Sequence, residues 1–273
     1  MNERFNYLTP IILPILPRVA GLTMVGLNLD QLVPEVAGDD GDARLTIEVR
    51  VFSEGELVSR DTSEVVIVSG KPEPMIFQKY FDLNELGYAE ISIVADRPYF
   101  RIILTEAAFA LVERPDHGSF NVHGSFKFSD PGVVSMMRDI GELCLVHPSQ
   151  YVSKADDIGN SVLIVNPFDG PIVARISAPK GREVRKRVMP RQMEIVPLTE
   201  LLNDNEWSCV LYTGNNRYPA WDIRHAYFDR WRINRLDHLE IYRGSLTLQR
   251  LSLANFVKSR ARRTLRTLGL RNN

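Results

Sequence analysis

Apolar and polar residues alternate along much of this chain with a period of two, which is the spacing of strands that bury one face and wet the other. Residues 45–52 (LTIEVRVF) show it most cleanly. Similar short runs at 22–29, 63–69, 75–81, 88–95 and 100–112 predict an all-β first half. A second series at 143–147, 161–166, 171–177, 183–189, 192–197 and 207–213 predicts the same for the second half. Short strands at regular spacing, separated by turn-forming residues, predict sandwiches or barrels.

Between the two series, Asp116, Gly118, Asn121 and Gly124 break the pattern; residues 122–128 (VHGSFKF) then alternate again as one strand of a hairpin. Pro131 and Gly132 followed by VVSMMRDI predict a short helix closed by Gly141. Residues 151–160 read as a polar connector. The N-terminal segment 7–29 is strongly apolar, but Pro10, Pro14 and Pro17 interrupt it and Arg18 sits in its middle. Three prolines at this spacing oppose a membrane-spanning helix, and Glu3 opposes a secretory start. The segment reads as an extended arm leading into a first strand near residue 22.

The two series echo each other. FDLNEL at 81–86 returns as VPLTEL at 196–201, 115 positions later, and the alternating runs ending at Phe52 and Phe168 precede Leu83 and Leu198 of the two hexamers by 31 and 30 residues. Each hexamer reads as a single helical turn that carries the chain between sheets, capped by Asn84 or Thr199. Self-similarity at a fixed offset implies repeated architecture. The expected fold is therefore all-β: two tandem antiparallel β-sandwich-like domains, at 1–115 and 140–243, related by an approximate internal repeat. A connector with a hairpin and a short helix fills 116–139, and a basic amphipathic helix fills the tail at 244–273.

Composition changes this picture little: of 273 residues, 44% are hydrophobic and 25% charged, as in an ordinary soluble protein with a real core. Cys144 and Cys209, the two cysteines, lie in apolar strand-like runs without metal or redox spacing. Buried thiols favour a reducing, cytoplasmic setting. Charge is uneven. No acidic residue follows Glu240, whereas Arg243, Arg250, Lys258, Arg260, Arg262, Arg263, Arg266 and Arg271 make the tail +8. Since the whole chain is −1, residues 1–240 carry −9. Leu248, Leu251, Phe256, Val257, Ala261, Leu265 and Leu268 recur at steps close to three and four, the pattern of a basic amphipathic helix. Such a helix suits an anionic membrane surface, or an acidic partner or body, with Lys258, Arg260, Arg262, Arg263 and Arg266 as the contacts; nucleic acid fits less well, because the tail lacks stacking aromatics for bases. A peripheral position on the inner face of a membrane follows as the expected location.

The densest candidate chemistry is YPAWDIRHAYFDRWR at 218–232. Flat aromatic faces stack on sugars, and guanidinium forks grip carboxylates and phosphates. Trp221, Arg224, His225, Tyr227, Arg230 and Trp231 are thus the candidate surface for a glycan, another anionic ligand or a partner. The competing reading is a strand with its aromatics in the core and its Arg–Asp pairs solvated. Asp116, His117, His123 and His147 match no metal signature, no Gly-x-Ser-x-Gly elbow occurs, and Ser119 and Ser125 form no arguable triad, so neither a metal nor another cofactor is expected. Asp222 and Asp229 supply carboxylates without evident geometry. These features predict a non-enzymatic binding or assembly protein. The alternative is an enzyme acting on a glycan or other anionic substrate in an inter-domain cleft. A long β edge also suits self-association, which adds a homodimer to the expected partners.

Overall fold

The computed structural model describes residues 5–7, 10–28, 43–67, 77–99, 108–114, 118–126, 143–145, 158–177, 182–198, 201, 210–212, 219–226, 229–238 and 240–241. Among them every regular element is a strand, and the strands form four antiparallel sheets. In chain order they are β1 (Phe5–Tyr7), β2 (Ile11–Ile15), β3 (Leu22–Leu27), β4 (Ala43–Ser53), β5 (Glu56–Ile67), β6 (Phe77–Phe81), β7 (Gly87–Tyr99), β8 (Ala108–Arg114), β9 (Gly118–His123) and β10 (Ser125–Phe126). The second series comprises β11 (Leu143–Leu145), β12 (Ile158–Val165), β13 (Ile172–Ser177), β14 (Glu183–Val188), β15 (Met193–Pro197), β16 (Val210–Tyr212), β17 (Ala220–Ala226), β18 (Asp229–His238) and β19 (Glu240–Ile241).

Sheet I runs β10-β2-β7-β4-β5, with β1 pairing further along β7. Sheet II runs β6-β3-β8-β9, sheet III β15-β12-β17-β18, and sheet IV β14-β13-β16-β11-β19. The β4–β5 hairpin closes through Glu54 and Gly55, both at positive φ, as tight hairpin turns require. Gly124 ends the β9 pairing by donating its N–H to the Ala108 carbonyl at 2.9 Å, after which the chain crosses to β2 in sheet I.

Two expectations change. The apolar N-terminal arm contains a strand, β2, that is buried along its whole length between β7 and β10. Pro14 is tolerated there because β10 meets only Ile11 and Ile12, so the outer side of the strand at Pro14 has no ladder bond to lose. The hexamer at 81–86 makes a bend at Asn84 and Glu85 rather than a helical turn, and it carries the chain from sheet II to sheet I. The short helix expected near 131–139 and the basic helix of the tail lie outside the described residues.

Packing follows from alternation. On β12, Val162 and Ile164 join Ala174, Ile176 and Val188 in a core between sheets III and IV. Leu163 and Val165 point the other way, into a cluster that also holds Ile11, Ile12, Ile47, Tyr88, Ile91 and Val112 of the first half. From Val162 to Val165 strand β12 is thus apolar on both faces, and one hydrophobic cluster contains side chains of both series of strands. That burial, at about 25 cal/mol per Å² of apolar surface, is the main force joining them.

Candidate functional site

Segment 218–232 folds largely into the hairpin β17–β18, at the edge of sheet III. Trp221 is completely buried, part of the cluster shared with the first half, and its indole Nε1 donates to the His123 carbonyl at 3.1 Å. This aromatic therefore works as a core anchor. His225 is buried too, its ring against Gly159 across the ladder, and burial lowers its pKa. Trp231 packs partly buried on the same cluster, its N–H held by Asp229 Oδ1 at 2.9 Å and the Arg230 guanidinium 4.7 Å from its ring centroid. Arg224 is half-buried, and Arg230 and Arg232 are exposed. Tyr227 lies outside the described residues, as do Asp116, His117, His147, Cys209 and the tail residues Lys258, Arg260, Arg262, Arg263 and Arg266. Cys144 is in β11, opposite Leu211 and Ile241.

The register puts two rows of side chains on the face of sheet III that does not carry Trp221. Asn160, Arg224 and Arg235 lie abreast, and next to them Val162, Asp222 and Asp237. Arg235 bonds Asp237 at 2.6 Å. Asp222 is buried, directly across from Asp237, and desolvation pushes its carboxyl up to about 7 against the opposing pull of Arg235 and Arg224. Perturbed carboxyls of this kind concentrate at functional sites, and they also occur in structural ion networks. The arrangement offers guanidinium forks to an anion, with a buried acid that carries its proton near neutrality.

A second polar cluster was not singled out by the sequence. Glu90 of β7 is fully buried and bonded to Arg50; Arg191 reaches its other carboxylate oxygen at 3.4 Å from the turn between β14 and β15. Arg191 also donates to the Pro167 carbonyl at 2.7 Å, bonds Asp169 Oδ1 at 2.7 Å and lies 5.0 Å from the ring centroid of Phe52. Phe52 stacks on Tyr88, ring centroids 5.2 Å apart. Burial raises the Tyr88 hydroxyl pKa, which the neighbouring Arg191 offsets only in part. All three guanidinium nitrogens of Arg191 bond groups inside the chain, so this cluster joins the two halves and leaves little for a ligand. Its only sequence signal is Pro190-Arg191 at a turn, with Arg191 at φ 58°.

Among the described residues no three His, Cys, Asp or Glu side chains are grouped so as to hold a metal ion, and no helix is long and apolar enough to cross a membrane. Comparison with protein-family models, with curated proteins and with solved structures finds no match to this chain. Fold and site together define, among the described residues, an all-β architecture of four antiparallel sheets with an arginine-bearing hairpin at the edge of one of them.

Proposed function

We propose that this chain is a non-enzymatic binding or assembly protein that grips an anionic ligand or partner with the arginines of β17–β18 and is recruited by its basic tail to an anionic membrane surface. Its frame, in the same reading, is two tandem β-sandwich-like domains descended from one. Supporting the duplication, β10-β2-β7 and β17-β12-β15 have the same pairings, and so do β6-β3-β8 and β14-β13-β16, in the same chain order. The β4–β5 hairpin is then an insertion into the first copy.

The observation that carries the binding reading is the hairpin's segregation of side chains. Trp231 and Ile233 turn into the core, and Arg230 and Arg232 are left exposed beside the half-buried Arg224 and Arg235. Four guanidinium groups on one hairpin favour carboxylate or phosphate recognition. The enzyme reading draws on Asp222 and Asp237, a cross-strand carboxyl pair of which one titrates near 7. Asp222 is 1% exposed, however, which keeps it from a substrate and favours binding over catalysis.

Flotation with phosphatidylserine-containing and neutral vesicles tests the proposal. The intact chain is expected to float with anionic vesicles only, less so at high salt. Truncation after Gly244 abolishes this, and R230E/R232E weakens it. An intact chain that stays with the soluble fraction in every case removes membrane recruitment, and an unaffected R230E/R232E variant removes the hairpin from the binding surface.

A further inference from the structure

Strand β5 is the longest unpaired edge among the described residues. It ends sheet I, and its ladder to β4 runs from Glu56 to Ile67. None of its residues from 56 to 66 is buried. Side chains at 60, 62, 64 and 66 share the more exposed face: Arg60, Thr62, Glu64 and Val66; Val58 lies at a β-bulge, where Leu57 and Ser59 pair with the adjacent residues Phe52 and Val51. Val58 and Val66 are half open to solvent, at 51% and 46%. Natural edge strands are commonly guarded by charge, since a bare ladder recruits other strands. Here the guarding charges have an order. An antiparallel copy of β5, related by a two-fold axis through Thr62, sets Arg60 opposite Glu64, with Thr62 facing Thr62. By symmetry the Arg60–Glu64 pairing occurs twice and the Thr62 pairing once.

From this order we propose that the chain forms a two-fold dimer by β5-to-β5 pairing, which makes sheet I continuous across both copies. Over the regular stretch from Ser59 to Val65 the register is compatible with the ladder whichever set of residues points its N–H and C=O groups outward, because partners on the two strands have the same parity. A two-fold contact must be self-complementary, and this strand is so at its charged positions, Arg60 and Glu64. Arg60 keeps its bond to Glu48 at 2.6 Å, and Glu64 its 3.8 Å contact with Arg44. Paired copies would extend these into a cross-strand ladder of alternating sign, Arg44, Glu64, Arg60 of the second copy, then Glu48 of the second copy. Other strands would meet the charges out of register, so the same pattern that deters them selects a second copy. The inference is independent of the arginine hairpin, which lies at the edge of sheet III.

Sedimentation of the full chain across a concentration series decides it. The wild type is expected to approach twice 31.1 kDa. Arg60→Glu replaces two attractive pairs by two repulsive ones, so dissociation is expected to become roughly tenfold easier. Glu64→Arg is expected to do the same, and the double variant R60E/E64R to recover dimerisation in part, because the swap restores the pairing between copies while setting like charges against Glu48 and Arg44 within each. The positions are exposed, so circular dichroism should show all three variants folded. Oxidation of Thr62→Cys should yield a covalent dimer, since residues on the axis lie within about 4.5–5.5 Å. A wild type that is monomeric throughout overturns the proposal, as does a dimer that R60E leaves unchanged or that the double variant fails to restore even in part.

Discussion

Arg191 places its guanidinium 3.4 Å from the carboxylate of Glu90, a residue 101 positions earlier that is sealed from solvent. Glu90 lies between this arginine and Arg50 of the neighbouring strand, so one buried anion is held by two cations, one from each half of the chain. Removing one partner of a buried pair costs more than the pair itself contributes, because the other charge stays behind.

Arg191→Ala is therefore expected to destabilise the fold by about 2–4 kcal/mol, less than a fully orphaned carboxylate because Arg50 remains. Glu90→Ala should cost at least as much, as it leaves two partly buried guanidinium groups facing each other. Arg191→Lys should rescue little, since an ammonium does not reproduce a fork that bonds Glu90, Asp169 and the Pro167 carbonyl together. Urea unfolding of the three variants measures these differences.

Asp222 and His225 give stability opposite dependences on pH. The folded state raises the Asp222 carboxyl from 3.8 to about 7, so it holds a proton that the unfolded chain releases. Its contribution is present below pH 4, declines as pH rises through that range, and is gone above about 7, a change on the order of a few kcal/mol. His225 has its pKa lowered by burial, so its contribution is present above the unfolded value of 6.5 and is lost as pH falls below it. Asp222→Asn should flatten the fall in stability between pH 4 and 7, and His225→Gln the loss on acidification below 6.5. Thermal melts from pH 4 to 8 resolve the two; an unchanged profile in D222N would place the titration elsewhere.

Gly159 and His225 are coupled by contact. A Cβ on residue 159 would come within 2.8 Å of His225 Nε2, in a strand buried on both sides. Gly159→Ala is expected to cost about 1–3 kcal/mol by overpacking, and His225→Ala in the same chain should return most of that. A double-mutant cycle in guanidinium chloride reads the coupling directly, and additive losses would count against the contact.

Asn166 sets the corner between β12 and β13. Its Nδ2 donates to the carbonyls of Gly170, Val188 and Met189 at 2.9, 3.1 and 3.0 Å, and its Oδ1 accepts from the Phe168 N–H at 3.1 Å. Asn166→Ala should cost roughly 2–4 kcal/mol, with several buried polar groups left unmatched. Asn166→Asp should be worse at neutral pH, with a carboxylate facing three carbonyl oxygens, and should recover partly at acid pH on protonation. Calorimetric melting at two pH values distinguishes them.

Alternation located β4, β6 and β14, each with one drier face, because a period of two survives without knowledge of the partner, whereas β3 and β12, buried on both faces, show only as short apolar runs. β2 escaped, since IILPI is dry on both faces and carries a proline, which leaves no alternation to read. β5 begins seven residues earlier than its apolar run near 63, at Glu56, because an exposed edge imposes little pattern. The echoing hexamers do mark sheet-to-sheet joints, but at different places: FDLNEL follows β6 and leads to β7, whereas VPLTEL ends β15 and precedes β16. Asn166 had a legible cue in its Asn-Pro step. Glu90 and Arg191 had almost none, because nothing in YAEISIV or MPRQM shows that the polar side of one is covered by the other.

The sequence by itself determined an all-β chain and the approximate places of most strands, since these depend on local periodicity and turn chemistry. It also set the charges of the hairpin and of the tail. Only the tertiary structure decided that Trp221 and His225 belong to the core while Arg230 and Arg232 meet solvent. It likewise decided that β12 is buried on both faces and that Glu90 is neutralised from two sides. Those outcomes depend on which surfaces meet across more than a hundred residues of chain, and the pattern of a single strand carries no record of what covers it.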